Sequence, residues 1–275
     1  MNTETIGGRT YIRLESGGVT ALYELRPAPL DSRIHAVLLD LDGTSLDSEK
    51  FWVGMIEETV RSLTVDSFRL APADIANVTG YTTREHLQYC IDKYHISATV
   101  AQADELYHRL TEQGLTQVLK GERADAFIMR KGLRDFLTAV RHAGFKTGLV
   151  TSGLLYKARP ELAALSRQLG GELSDWFDAV ITGGERKTAG RLGTIGELAA
   201  KPHPWLYVEI AEALRIAAGD AVVIEDSASG VIAGRLAGFP VLGFNDGTIR
   251  SGGAAGLTAG CINTFDDALR LLSIR

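Results

Sequence analysis

Two aspartates two positions apart, Asp40 and Asp42, close the apolar run from Ala36 to Leu39, and Gly43 and Thr44 follow at once in "VLLDLDGTSLDSE". Further along, Thr151 and Ser152 follow "KTGLV", and Glu225 and Asp226 follow "DAVVI". Lys201 stands in "AAKPHPWLY", just before a helix that Pro202 and Pro204 help to start. Taken singly these are ordinary residues: an aspartate shapes a turn, a Thr-Ser pair makes one, and "EDS" caps the next helix. Together they describe chemistry. Four carboxylates gathered at one sheet edge repel one another unless a cation neutralises them. Hard oxygen ligands favour Mg²⁺, which binds through one or two carboxylates plus a substrate phosphate and keeps several waters. Thr151, Ser152 and Lys201 add hydroxyl or amide donors and a fixed positive charge, which suit a phosphate. A carboxylate nucleophile beside a metal, with a second carboxylate as acid and base, is an arrangement for phosphoryl transfer.

Such groups meet only if strands carry them to one edge, because ligands of an open parallel sheet bind at the carboxyl ends of its strands. After Gly132 the sequence alternates as that requires. "GLRDFLTAVRHAG" reads as a helix stopped at Gly144, "FKTGLVTSG" and "FDAVITGG" as strands, and "PWLYVEIAEALRI" as a helix. "DAVVIEDSASG" then reads as a strand, "GVIAGRLAG" as a helix, "FPVLGF" as a strand and "FDDALRLL" as a closing helix. Short apolar strands alternating with helices predict an α/β fold with a parallel sheet covered on both faces. From Glu49 to about Arg123 the pattern is helical instead. "FWVGMIEETVRSL" sets Trp52, Met55, Ile56, Val60 and Leu63 on one stripe, and "TREHLQYCIDKY" and "TVAQADELYHRLTEQGLTQVL" read the same way. This block follows the first strand, so it predicts an inserted all-α domain. The expected organisation is an extension over 1–33, a core of 34–48 with 124–275, and a helical insert over 49–123. The extension alternates and breaks at Ser16-Gly17-Gly18, a β-hairpin signal, and Pro27 and Pro29 link it to the core.

The composition excludes several classes. The 275 residues are 45% hydrophobic and 23% charged, enough for one large or two smaller globular domains. A net charge of -5 offers no basic face to nucleic acid or to an anionic membrane. No apolar run approaches the ~18 residues of a membrane span, and the start lacks the apolar segment of a signal peptide. Cys90 and Cys261 lie far apart and match no metal spacing, so free thiols and a cytoplasmic setting are expected.

"DLDGT", "VTSG", "KPHPWLY" and "VVIEDSASG" occur in the order and context of the four motifs of the haloacid dehalogenase (HAD) superfamily. From residue 34 to the C-terminus the chain resembles its phosphatase and β-phosphoglucomutase-like subgroup. The resemblance implies a Rossmann-like parallel sheet core with a helical cap, acting on a small phosphorylated metabolite. It implies that Asp40 is the nucleophile that becomes an aspartyl phosphate, and that Asp42 protonates the leaving oxygen and then activates water. It implies Mg²⁺ held by the carboxylates of Asp40 and Asp226 and the main-chain carbonyl of Asp42, with Glu225 beside it. Thr151 and Ser152 would hold the phosphate, Lys201 would bridge it to Asp40, and Gly43 and Thr44 would make the turn that lets both aspartates reach it. Asp42 also separates the chain from the branch that breaks carbon–halogen bonds, since a phosphate ester's leaving oxygen needs a proton and a halide does not.

The sequence departs from the mutases of the subgroup at two positions. They carry a histidine where this chain has Trp52, and an arginine where it has Thr83, with Arg84 one place later. Hydrolysis is therefore favoured over a phosphomutase, and the retained acids favour an enzyme over a binding domain that has merely kept the fold. Thr82, Thr83, Arg84 and His86 are candidate specificity residues. "ERKTAGRLGTIGELAA", residues 185–200, is read as a mobile loop at the mouth of the site; its evenly spaced glycines lack the strand-then-helix context of a dinucleotide loop.

Overall fold

In the computed structural model the run that ends in Asp40 is a strand buried at every residue, and the main sheet is built outward from it. The structure describes residues 3–16, 19–31, 33–65, 67–75, 83–184, 200–244 and 247–274. In chain order, β1 (Thr3–Ile6), β2 (Arg9–Ser16) and β3 (Val19–Glu24) precede β4 (Ala36–Asp40) and β5 (Leu46–Asp47). The helices α1 (Glu49–Leu63), α2 (Pro72–Ile75), α3 (Thr83–Lys93) and α4 (Val100–Leu119) follow. Then come β6 (Ile128–Met129), α5 (Leu133–His142), β7 (Lys146–Val150), α6 (Leu155–Leu169), β8 (Ala179–Ile181) and α7 (Trp205–Leu214). The chain closes with β9 (Ala221–Glu225), α8 (Ala228–Leu236), β10 (Val241–Phe244), β11 (Gly260–Ile262) and α9 (Phe265–Leu271).

The chain divides into two compact units, Met1–Leu46 with Met129–Arg275, and Asp47–Ile128. The first holds a six-stranded sheet in the order β11-β10-β9-β4-β7-β8, parallel at every pairing. The connections run outward through β7 and β8, then return beside β4 and run outward again through β9, β10 and β11. The carboxyl end of β4 is therefore the topological switch point, where a crevice opens. Strands covered on both faces read as continuous apolar runs, and β4 and β9 are buried throughout.

Three features go beyond the sequence reading. The N-terminal segment pairs as the expected β2–β3 hairpin, but β1 adds a third antiparallel strand. Ile12 of β2 belongs to the same apolar core as Ile210 of α7 and Val223 of β9, so the extension is packed into the first unit. Helix α6 is absent from the sequence reading because Pro160 sits inside it, where a proline ordinarily removes an i→i−4 bond. Strand β11 has three residues, too few to show a period.

The second unit is helical, as its periodicity predicts, with α1, α3 and α4 in mutual contact. Met55, Ile56 and Val60 of the expected α1 stripe are buried. The rings of Phe51, Trp52 and Phe127 pack together at 4.7–6.2 Å between centroids. Helix α4 starts with a reciprocal capping box between Thr99 and Gln102. Asp74 is buried and accepts hydrogen bonds from Tyr89, Lys93, Tyr94 and the Ala71 amide. Both cysteines are free thiols. No helix of the described residues is long and apolar enough to cross a membrane.

Candidate active site

β4 ends at Asp40, and the backbone turns sharply beyond it. Gly43 N–H donates to the Leu46 carbonyl at 2.7 Å, Ser45 Oγ donates to the Asp40 carbonyl at 2.6 Å, and the Arg130 guanidinium donates to the Gly43 carbonyl. Gly43 has φ +82°, a left-handed conformation that glycine adopts without penalty. A Cβ there would also collide with the Asp226 carboxylate. The sequence "DLDGT" thus needs its glycine for two reasons, and both bring the first turn against the acid after β9.

The strands flanking β4 supply the rest. Thr151 follows β7, and its Oγ1 lies 3.5 Å from Asp42 Oδ2 and accepts from the Gly153 amide at 2.9 Å. Glu225 ends β9 with no exposed surface. Its Oε1 accepts from Lys201 Nζ at 2.5 Å and from the Tyr207 hydroxyl at 2.8 Å, and its Oε2 accepts from Ser227 Oγ at 3.0 Å. Lys201 bridges Glu225 to Asp40, and its own amide donates to Ser152 Oγ at 3.2 Å. Thr44 is buried, and its hydroxyl donates to Asp226 Oδ1 at 3.3 Å. One oxygen from each of Asp40, Glu225 and Asp226 can be chosen so that all lie within 4.8 Å of one another.

The electrostatics follow from crowding like charges away from water. Burial, then the Glu225 charge, holds the Asp40 carboxyl well above the usual carboxylate range, against the pull of Lys201. The same two causes push Asp226 up to about 7. Burial pulls Lys201 down, but Asp40 and Glu225 outweigh it and hold the ammonium charged. A site that raises its own carboxylates and keeps one lysine charged is short of positive charge. The donors are all hard oxygens, so a small divalent cation fits both the chemistry and the deficit.

The structure thus gathers Asp40, Asp42, Gly43, Thr44, Thr151, Ser152, Lys201, Glu225 and Asp226 in the first unit. Thr83 and Arg84 open α3 in the second unit, with Arg84 exposed. His86 is buried there, and neither ring nitrogen has a hydrogen-bond partner among the described residues. Thr82 and residues 185–199 lie outside the described residues. Three neighbours of the site were not found from the sequence. Tyr207 holds Glu225 from α7. Gly230 of α8 leaves the space that the Glu225 carboxylate fills. Glu161 of α6 is buried, and burial together with the Asp42 charge pushes its carboxyl up. All three act from helices, and only Gly230, inside "EDSASG", had a local signal.

Comparison with known proteins gives the family and the fold. The family description "haloacid dehalogenase-like hydrolase" matches residues 34–238. A phosphorylated carbohydrates phosphatase of Thermotoga maritima is 26% identical over 209 residues, covering 74% of this chain and 82% of its own. A phosphoglycolate phosphatase of Xanthomonas campestris is 28% identical over 205 residues, covering 74% and 80%. The crystal structure of CbbY from Rhodobacter sphaeroides in complex with phosphate superposes with a TM-score of 0.60 at 23% identity, covering 87% of this chain and 99% of that one.

Proposed function

We propose, for a chain that belongs to the haloacid dehalogenase-like hydrolases, that it is a Mg²⁺-dependent phosphatase of a small phosphorylated metabolite. The observation that carries this reading is Asp40 inside a carboxylate cluster, bridged to Lys201, with Asp42 two residues on beside Thr151. The Asp40 carboxylate attacks the phosphorus of the ester. The bond from phosphorus to the leaving oxygen breaks, and that oxygen takes the proton of the Asp42 carboxyl. Asp42, now a carboxylate, takes a proton from a water that attacks the aspartyl phosphate, and Asp40 is released with inorganic phosphate. Thr151 and the Ser152 amide hold the phosphate oxygens, while Lys201 orients Asp40 and pulls its carboxyl toward the ionised form. Asp40, Asp226 and the Asp42 main-chain carbonyl would hold Mg²⁺, with Glu225 beside it; the ion would supply charge neutralisation of the phosphate and of the crowded acids.

The names of the relatives, a phosphorylated carbohydrates phosphatase and a phosphoglycolate phosphatase, support a small phosphate monoester as substrate. Hydrolysis is favoured over isomerisation because position 52 carries an indole packed against Phe51 and Phe127, and an indole has no basic nitrogen to move a proton. The test is release of phosphate from p-nitrophenyl phosphate and from β-glucose 1-phosphate with Mg²⁺. Turnover that persists in excess EDTA, or conversion of β-glucose 1-phosphate to glucose 6-phosphate without phosphate release, contradicts the proposal.

A further inference from the structure

Behind the sheet, a cavity of ≈ 560 Å³ lies between β3, the segment that follows it, and the loops after α7 and α8. Its walls include Pro27, Pro29 and Ala218, with Arg26 and Arg33 among the lining charges and Arg235 in the wall formed by α8. It opens beside Gly219 and Gly238, which precede β9 and β10, so it faces the amino ends of those strands. The acidic cluster sits at the carboxyl ends of β4 and β9. The five residues of β9 separate the two, roughly 16 Å of strand. Residues 22–33 of its lining precede the segment 34–238 that matches the family, so more than half of the lining residues come from the extension.

Arg235 is the informative group. It is 91% buried, and its guanidinium donates to two main-chain carbonyls, Phe239 O at 3.2 Å and Arg26 O at 2.7 Å. Among the described residues no carboxylate pairs with it, whereas Arg26 and Arg33 are paired with Glu24 and Asp31. Burial alone lowers its pKa, with no charge opposing. Carbonyls satisfy the N–H groups but not the charge, and a buried cation without a counter-ion is costly. The wall around it mixes proline, alanine and leucine side chains with Tyr23 and with Glu24, whose carboxylate is engaged by Arg9 and Arg26.

We propose that this cavity is a binding site for a small organic anion, a carboxylate or phosphate on a compact apolar body, whose charge opposes Arg235. The site is distinct from the phosphoryl-transfer centre and does not rest on the function proposed above. The probe is 8-anilinonaphthalene-1-sulfonate, which carries one anionic group on an apolar body, titrated by fluorescence into the full chain. Mg²⁺ and excess orthovanadate are present to occupy the phosphate site. The expected result is one saturable site that survives vanadate. Arg235→Gln keeps an amide for the carbonyls but removes the charge, and should weaken binding at least tenfold. Ala218→Glu, at an exposed position of the cavity wall, places a carboxylate in the cavity and should do the same without lowering the melting temperature; it decides the matter if Arg235→Gln does not fold. Absence of saturable binding, displacement by vanadate, or unchanged affinity in Ala218→Glu overturns the proposal.

Discussion

Asp226 shows how one residue's environment sets a measurable property of the proposed metal site. Burial and the Glu225 charge push its carboxyl up to about 7, so near neutral pH the metal-free protein holds a proton there. A metal must displace that proton. The folded pKa lies above the ordinary carboxylate value, so the bound proton competes below about 7 and is absent above it. Apparent Mg²⁺ affinity should weaken at least tenfold per pH unit as pH falls below that value, since the Asp40 carboxyl is raised as well. Titration calorimetry between pH 5.5 and 8.5 measures this, and a flat profile contradicts it. The acids themselves were legible in the sequence because each ends an apolar run. Their helpers were not: Tyr207 and Glu161 reach the site from helix faces, and nothing local in "WLYVEIAEAL" or "LYKARPELAAL" says which strand end they will approach.

At the scale of elements, the turn after β4 joins sequence to chemistry most tightly. Gly43 combines a left-handed φ with close approach to Asp226. Gly43→Ala should cost about 1–3 kcal/mol in backbone strain, and should also displace Asp226 from Asp40. A lowered melting temperature together with lost Mg²⁺ binding is the expected pair of results; a variant that melts lower yet binds Mg²⁺ like wild type would separate the turn from the metal site. The strands β4, β7 and β9 could be read from composition because buried parallel strands are short apolar runs. Helix α6 could not, since Pro160 imitates a breaker, and β11 is too short to carry a pattern. The segment after Pro27 reads as a linker, but β2 and β3 contribute to the core through contacts far apart in sequence: Ile12 joins the core, and the Tyr23 hydroxyl lies 3.2 Å from His203 Nδ1, two residues beyond Lys201.

The whole molecule comprises two units, and acid should act on the helical one through Asp74. In the helical unit burial pushes Asp74 up, but hydrogen bonds from Lys93, Tyr94 and Tyr89 prevail and hold its carboxyl well below the usual range. A depressed folded pKa contributes stability above the ordinary value of about 4 and loses it as pH falls below that. Hydrogen exchange at pH 3 should therefore show α3 opening more than it does at pH 6, and Asp74→Asn should remove much of that difference. Equal protection of α3 at both pH values contradicts it. The central claim is that this architecture delivers phosphate to Asp40 and removes it with Asp42. Asp42→Asn keeps the main-chain carbonyl and the shape but cannot move protons, and acid–base assistance is typically worth ~10²–10⁴-fold per step. Acetyl phosphate has a good leaving group, so Asp42→Asn should still form the adduct and then stall. Mass spectrometry should find a gain of about 80 Da on Asp40, removable by hydroxylamine as expected of an acyl phosphate intermediate, and Asp40→Asn should show none. An adduct on Ser152, or turnover of acetyl phosphate by Asp42→Asn at the wild-type rate, would contradict the account.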